Sequence, residues 1–354
     1  MIAAEDFIIT KAQKSKLSTL NLENISFGKY FTDHMLEVKY ADGEWKTVEI
    51  KPYQTFSIAP SCAALHYGQA IFEGIKAYKN PEGGAFIFRP EENFKRFNIS
   101  AKRMEMPEVP EEIFIKGMKQ LVKLDEEWIP NKPDHSLYIR PFMFSCDEMI
   151  GVKPGETYKF MIILSPTGPY YSAPMRIYVE EKYVRAVQGG VGYAKTAGNY
   201  GAAMFPTAEA KRKGYDQVLW TDAIEHKYVQ ECGTMNVFFI IGNKAITPGL
   251  EEGTILAGVT RNSTIQLLQE LGLEVEERRL SIDEIEEAYK NGTLREVFGT
   301  GTAATISMIK ELRHKDFVMN FDTDKWEIAP EVKNRMDAIK EGVAEDRYGW
   351  MVKV

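Results

Sequence analysis

A two-domain protein of mixed α/β (α+β) class is what this sequence predicts, and three observations predict it. Its 354 residues suit one large domain or two medium ones of roughly 100–200 residues each. Period-two apolar runs stand beside stripes of helical period in both halves of the chain. A proline-rich stretch, Ser165-Pro-Thr-Gly-Pro-Tyr-Tyr-Ser-Ala-Pro174, reads as a linker between those halves. The predicted division is an N-terminal domain over 1–164, a linker over 165–175 and a second domain over 176–354.

The elements follow in order. Met35 to Tyr40 and Trp45 to Ile50 read as strands flanking Asp42-Gly43, a hairpin-turn dipeptide. Phe86 to Phe88 is a further short strand. Phe94, Phe97, Ala101 and Met104 share one helical face. A second helix follows, with Pro110 in its opening turn and Phe114, Met118, Leu121 and Val122 as its stripe. Leu137 to Met143 and Lys159 to Leu164 read as buried strands. Beyond the linker, strands at Met175–Val179, Gln217–Trp220, Met235–Ile241 and Lys244–Thr247 alternate with helices. One of these helices, carrying Ile265, Leu268 and Leu271, stops at Gly272. The next opens on the capping box Ser281-Ile-Asp-Glu284 and ends near Gly292.

Composition narrows the chemistry. The net charge of −7 opposes a role on polyanions, which calls for a basic face. Three well-separated cysteines, Cys62, Cys146 and Cys232, make no disulfide scaffold and no cysteine-rich zinc site. The longest apolar run, Val237 to Ile241, is too short to span a bilayer. Met1 to Lys16 lacks the apolar core of a signal peptide. A cytoplasmic protein is the expectation.

Six segments carry chemistry. In Gly189-Gly-Val-Gly-Tyr-Ala-Lys195-Thr-Ala-Gly-Asn-Tyr200-Gly201, a lysine is framed by small residues. Such an amine becomes a nucleophile toward an aldehyde when it is desolvated. The same pattern also suits a flexible glycine loop with a solvated lysine. Glu231-Cys-Gly-Thr-Met-Asn236 sets a carboxylate at the mouth of an apolar strand, which is costly unless a partner such as a pyridinium nitrogen meets it. A turn toward solvent is the alternative. Ala257-Gly-Val-Thr260 opens a helix and Phe298-Gly-Thr-Gly-Thr302-Ala303 is a glycine-threonine turn. Both can hold an anion on backbone N–H groups, and both are also ordinary cap and turn sequences. Tyr138 and Arg140, two apart on a strand, point to one face and can bind a carboxylate or form a surface cross-strand pair. The aromatics of His66-Tyr67-Gly68-Gln-Ala-Ile-Phe72-Glu73-Gly74 suit a pocket wall or core packing, with His66 read as a packed, hydrogen-bonded side chain.

In this order the segments resemble the branched-chain amino-acid aminotransferases, fold-type IV enzymes that use pyridoxal 5′-phosphate. The resemblance runs from about Leu22 to Trp350. It includes Asp33-His-Met, Leu65-His-Tyr-Gly, Phe72-Glu-Gly, Phe88-Arg-Pro, the Tyr-Ile-Arg-Pro stretch, the lysine loop, Glu-Cys-Gly-Thr-Met-Asn and Tyr348-Gly-Trp. It implies a two-domain fold-type IV architecture. It also implies amino transfer between L-leucine, L-isoleucine or L-valine and 2-oxoglutarate, by a ping-pong route through a lysine aldimine.

The same resemblance implies that Lys195 bonds the cofactor and shuttles the proton, Glu231 pairs with the ring nitrogen, and Tyr200 bonds the phenolic oxygen. Arg96, the Val259 and Thr260 amides and the Thr302 hydroxyl would hold the phosphate. The Thr302 and Ala303 amides would hold the substrate α-carboxylate, with Tyr138 and Arg140 shaping that end. Tyr67, Phe72 and Tyr170 would line an apolar side-chain pocket, with the linker doubling as a lid. A homodimer is implied, with small-molecule partners and neither nucleic acid nor membrane. Mammalian members carry a C-x-x-C where this chain has Ala304-Thr-Ile-Ser307, so thiol regulation of that kind is not expected. Within the same fold, a D-amino-acid aminotransferase or an aminodeoxychorismate lyase would share the lysine and glutamate. From another class, a non-catalytic ligand-binding protein could keep the fold without the chemistry.

Overall fold

The structure, a computed structural model, describes residues 7–20, 25–169 and 173–354. It divides into two compact units. The first comprises 1–170, 194–198 and 338–354, and the second 171–193 and 199–337.

The first unit is built on β1 (Phe7–Ile9), β2 (His34–Ala41), β3 (Glu44–Trp45), β4 (Val48–Pro52), α1 (Ala63–Tyr67), β5 (Ala70–Phe72), β6 (Ile75–Lys79), β7 (Ala85–Phe88), α2 (Pro90–Arg103), α3 (Gly117–Leu124), β8 (Ser136–Ser145) and β9 (Tyr158–Thr167). The second has β10 (Met175–Glu180), α4 (Ala197–Arg212, its first turn in the first unit), β11 (Gln217–Thr221), β12 (Val229–Cys232), β13 (Asn236–Ile241), β14 (Lys244–Thr247), α5 (Val259–Glu270), β15 (Glu274–Glu277), α6 (Ile282–Lys290), β16 (Leu294–Gly301), β17 (Thr305–His314), β18 (Phe317–Asn320) and α7 (Ile328–Lys340). A final strand, β19 (Met351–Lys353), returns to the first unit.

In the first unit the strand order is β1-β4-β2-β9-β8-β6-β7-β19, with β3 on β2 and β5 on β8. Asp42 and Gly43 both take positive φ, 56° and 79°, the conformation a tight hairpin demands. β8 and β9 pair from Ser136↔Thr167 to Ser145↔Tyr158. The core packs α2 and α3 against the sheet, with Phe97, Phe114, Met118, Leu121 and Phe160 all buried. The stripe predicted from Phe114 onward begins in a π-helical turn, Glu112–Lys116, before α3 starts at Gly117. A Cβ at Gly117 would stand 2.6 Å from Leu36 Cδ1, so the glycine is what lets this helix approach β2.

The proline-rich stretch starts as strand rather than loop: Ser165 and Thr167 are buried in β9. β2 pairs with β9 only as far as Ile163, and a proline is tolerated where one flank of a strand is open. Residues 338–354 group with the first unit because β19 pairs with β7, Met351 opposite Phe88. Trp350 is buried there between the Tyr348 and Phe88 rings.

In the second unit the order is β12-β11-β10-β17-β16-β13-β14-β15, with β18 on β17. The pairs β10·β11, β10·β17 and β14·β15 are parallel, the others antiparallel. Ser281 caps α6 as predicted, Glu284 N donating to its Oγ at 3.1 Å, but the Glu284 carboxylate turns to Arg278 instead of closing the box. Among the described residues, no helix is long and apolar enough to cross a membrane.

Candidate active site

Each unit carries a share of the residues singled out in the sequence. In the first, the Lys195 backbone is docked on both sides. Phe72 N donates to Lys195 O at 3.1 Å, and Thr196 Oγ1 donates to Ala70 O at 3.1 Å. Lys195 N donates to Ser100 Oγ at 2.9 Å, and that hydroxyl donates to Arg96 O at 3.0 Å. The lysine is therefore no loose loop residue: β5 and α2 fix its backbone. Its Nζ stands 4.9 Å from the centroid of the Phe72 ring.

Asn93, Arg96 and Ser100 recur on one face of α2 at helical spacing, and all three are buried. Arg96 forks onto Glu73, Nε to Oε1 at 2.7 Å and Nη2 to Oε2 at 2.8 Å. Asn93 Nδ2 adds a bond to Oε2 at 2.7 Å. Glu73 is entirely buried. Burial alone would raise its acid, but the charge and fork of Arg96, the charge of Lys195 and the Asn93 bond outweigh it. The carboxyl stays below the ordinary range. Sequence reasoning had Glu73 only as the middle of a motif. Its signal there was a carboxylate between an aromatic and a glycine, with no partner in view.

Tyr138 and Arg140 share a face of β8, as predicted: Arg140 Nη2 donates to Tyr138 OH at 3.0 Å. Gly74 leaves the room that the Tyr138 hydroxyl occupies, since a Cβ would overlap it. The Arg140 guanidinium lies 4.7 Å from the Phe72 ring centroid, and its Nε is buried with no partner among the described residues. Arg140 and Phe72 line a cavity of 470 Å³ whose other walls include Ile71, Phe142, Met143 and Ile163. Arg140 is the charged residue in that lining. Tyr67 is not part of it. It lies on α1, 41% exposed, tilted against His66. His66 is hydrogen-bonded through Nε2 to Pro60 O at 2.8 Å, yet exposed rather than packed. Tyr170 falls outside the described residues.

In the second unit, Glu231 is buried on β12 with both oxygens held. Leu256 N donates to Oε1 at 2.7 Å, and Arg185 Nε pairs with Oε2 at 2.8 Å. Arg185 was missed in the sequence. Nothing local marks it, because its partners come from distant segments: Thr254 O at 2.8 Å, Gly192 O at 3.3 Å and the Glu231 carboxylate. Within the lysine loop, Gly192 needs to be glycine, since a Cβ would strike the Thr254 carbonyl and Ala186. Gly198 and Gly201 face open space.

Val259 and Thr260 begin α5 after Gly258, which caps the helix with no side-chain bond. A Cβ at Gly258 would overlap Asn236 Oδ1, and Asn236 Nδ2 donates to Leu256 O at 2.9 Å. Asn236 also lies opposite Thr300 on β16. The Glu231 strand, the start of α5 and the β16 end are thus tied to one another. Thr302 and Ala303 form the turn from β16 to β17. The buried Thr300 Oγ1 beside that turn has no partner among the described residues. Tyr200, half-buried, is near the start of α4.

The two-sheet α/β fold is that of a class of enzyme, as comparison with known proteins shows. Residues 70–312 match the family Amino-transferase class IV. The chain belongs to this family, whose cofactor is pyridoxal 5′-phosphate. It is 51% identical over 338 residues to the probable branched-chain-amino-acid aminotransferase of Staphylococcus epidermidis, covering 94% of each chain. Over 337 residues it is 46% identical to branched-chain-amino-acid transaminase 1 of Bacillus subtilis, again 94% of each. The solved branched-chain amino acid aminotransferase of Escherichia coli superposes with a TM-score of 0.75 at 26% identity, over 91% of this chain and 99% of that one. A second branched-chain amino acid aminotransferase, solved in complex with N-(5′-phosphopyridoxyl)-L-glutamate, gives 0.72 at 27% identity, over 89% and 98%.

Proposed function

We infer that this chain is a branched-chain-amino-acid aminotransferase, exchanging the amino group between leucine, isoleucine or valine and 2-oxoglutarate. The observation that carries the reading is the Phe72 wall. An amine and a guanidinium both stand against its ring, and Arg140 faces an otherwise apolar 470 Å³ cavity. That combination suits an amino acid with an apolar side chain. Arg140 Nε, which has no partner among the described residues, favours a carboxylate guest, which charge-assisted bonds would hold.

The residues fit the cofactor. It offers a carbonyl, a ring nitrogen, a phenolic oxygen and a phosphate. The chain offers an amine, a buried carboxylate with fixed charge, a phenol and an uncapped helix start closed by a glycine that admits no Cβ. When bound, the cofactor supplies a carbonyl that takes up the amino group and a ring that stores the electron pair left at Cα. With the cofactor held there, Lys195 Nζ would be the base that takes the proton from substrate Cα and the acid that gives it back. Glu231 accepts a hydrogen bond from the ring N–H, and Tyr200 donates to the phenolic oxygen. Arg96, the Val259 and Thr260 amides and the Thr302 hydroxyl bind the phosphate. The Thr302 and Ala303 amides, with Tyr138 and Arg140, orient substrate carboxylates. Phe72 borders the side chain.

The active form is a cytoplasmic homodimer. Leu65, Tyr67, Met149, Ile150 and Val152 of the first unit are exposed at 40–90%, apolar surface of the kind that marks a subunit contact. Sedimentation at micromolar concentration should return twice the 40.3 kDa chain mass. A purely monomeric active enzyme would refute the dimer.

The activity itself is tested by assaying holoprotein with 2-oxoglutarate and each of L-leucine, L-isoleucine, L-valine and D-alanine. Turnover of the three L-substrates is expected, and turnover of D-alanine alone would overturn the reading. Borohydride reduction followed by peptide mapping should place a phosphopyridoxyl mass on Lys195, and a mass on any other lysine would overturn that assignment.

A further inference from the structure

Arg185 and Glu231 form a buried ion pair in the second unit, their side chains 7% and 3% exposed. A buried carboxylate keeps its charge only when the interior offers an opposite charge and hydrogen bonds. Glu231 has both, Arg185 Nε on Oε2 at 2.8 Å and the Leu256 amide on Oε1 at 2.7 Å. The arginine is itself oriented by two backbone carbonyls, Thr254 O and Gly192 O, at 2.8 and 3.3 Å from Nη1. Those carbonyls carry no net charge, so the Glu231 carboxylate is the full charge this guanidinium is built to face. Gly192 closes the cage, because any Cβ there would strike the Thr254 carbonyl.

We propose that Arg185 is the positioning residue of the ring-nitrogen site: it keeps Glu231 ionised and in one orientation, and acts on the cofactor through that carboxylate. The proposal rests on the Glu231 assignment above. With both oxygens fixed by protein donors, the lone pairs left to Glu231 point in set directions. Without Arg185 the opposite charge would be gone, and desolvation would then favour the neutral acid. A neutral Glu231 cannot hold a proton on the ring nitrogen. Activity would return as pH rises, because the raised acid ionises only at higher pH.

The test compares four holoenzymes with wild type: Arg185→Met, Arg185→Lys, Glu231→Gln and the double variant Arg185→Met/Glu231→Gln. For each, kcat and KM for L-leucine and the visible absorption of the bound cofactor are followed from about pH 6 to about pH 9.5. Arg185→Met should lose about tenfold or more in kcat at neutral pH, the loss expected once the Glu231 carboxyl titrates about one unit above the working pH. Its KM should change less than about threefold, because substrate contacts are untouched. Its kcat should climb toward alkaline pH, and the cofactor absorption should titrate in parallel. Arg185→Lys keeps the charge and should restore most of kcat and the wild-type pH profile.

The double variant should match Glu231→Gln alone, since both residues act through one carboxylate. It also leaves no unpaired buried charge, so it should fold even if Arg185→Met does not. A wild-type pH profile in Arg185→Met would overturn the proposal, as would losses that multiply in the double variant or a double variant that does not fold. Full activity in Glu231→Gln would instead refute the Glu231 assignment on which the proposal stands. Lost kcat in Glu231→Gln beside an unchanged Arg185→Met would refute the proposal alone.

Discussion

Glu73 carries its charge in a place with no exposed surface, and it does so because Arg96 grips both of its oxygens. The pairing constrains the arginine as much as the acid: with Nε and Nη2 committed to Glu73, the guanidinium has a set orientation on α2. Replacing Glu73 by Ala strands a buried guanidinium, and breaking such a pair costs about 3–5 kcal/mol. Thermal denaturation of the holoprotein should show that loss, and cofactor retention on gel filtration should fall with it. The pH dependence has a definite sign. The folded-state acid is lowered from 4.5, so its contribution is fully present above that value and is lost as pH falls below it through the folded pKa. Glu73→Gln should therefore give a flatter stability curve below about pH 4.5 than wild type, and a curve of equal steepness would refute the assignment. Lys195 and Glu231 were singled out through the resemblance that their segments carry together, since each local context also suits a plain loop or a turn toward solvent. Glu73 and Arg185 were not, because each is defined by a partner far along the chain, and a single sequence records spacing but not which ends meet.

At the scale of elements, what the sequence revealed was local stereochemistry. Asp42-Gly43 announced a hairpin because both residues adopt positive φ, and Ser281 announced α6 because a hydroxyl there meets the Glu284 amide. The π-helical turn before α3, the strand character of Ser165 to Thr167 and the return of β19 to β7 depend on tertiary neighbours that no local pattern encodes. Gly258 belongs to this second kind. It reads as a helix cap, but in the structure it is also the gap into which Asn236 Oδ1 fits. Asn236 is not free to yield, since its Nδ2 holds Leu256 O and Leu256 N in turn holds Glu231. Gly258→Ala should thus push on the start of α5 and on Glu231 together. The expected cost is about 1–3 kcal/mol, as for overpacking elsewhere, read as a lower melting temperature. Cofactor affinity, from fluorescence titration of the apoprotein, should weaken as well. Unchanged affinity in a destabilised variant would show that the α5 start does not serve the phosphate.

Across the whole molecule, the three thiols are kept out of the chemistry. Cys232 is next to Glu231 in sequence, where a reactive thiol would disturb the site, yet burial and then the Glu231 charge push it up to about 12. Cys146 is pushed up to about 11, first by burial and then by neighbouring Cys62. Cys62 is itself buried, its Sγ 3.2 Å from Ser145 O. Only the thiolate attacks an alkylating reagent, so at pH 8 about one Cys146 in a thousand and one Cys232 in ten thousand would be reactive at any moment. Native holoenzyme treated with iodoacetamide at pH 8 should keep its activity and its unmodified mass, while the chain unfolded in guanidinium should take up label at all three cysteines. Rapid native labelling of Cys232 with loss of turnover would mean that the turn between β12 and β13 opens in solution. In that case Glu231 would be solvated for part of the time, and its charge would no longer depend on Arg185.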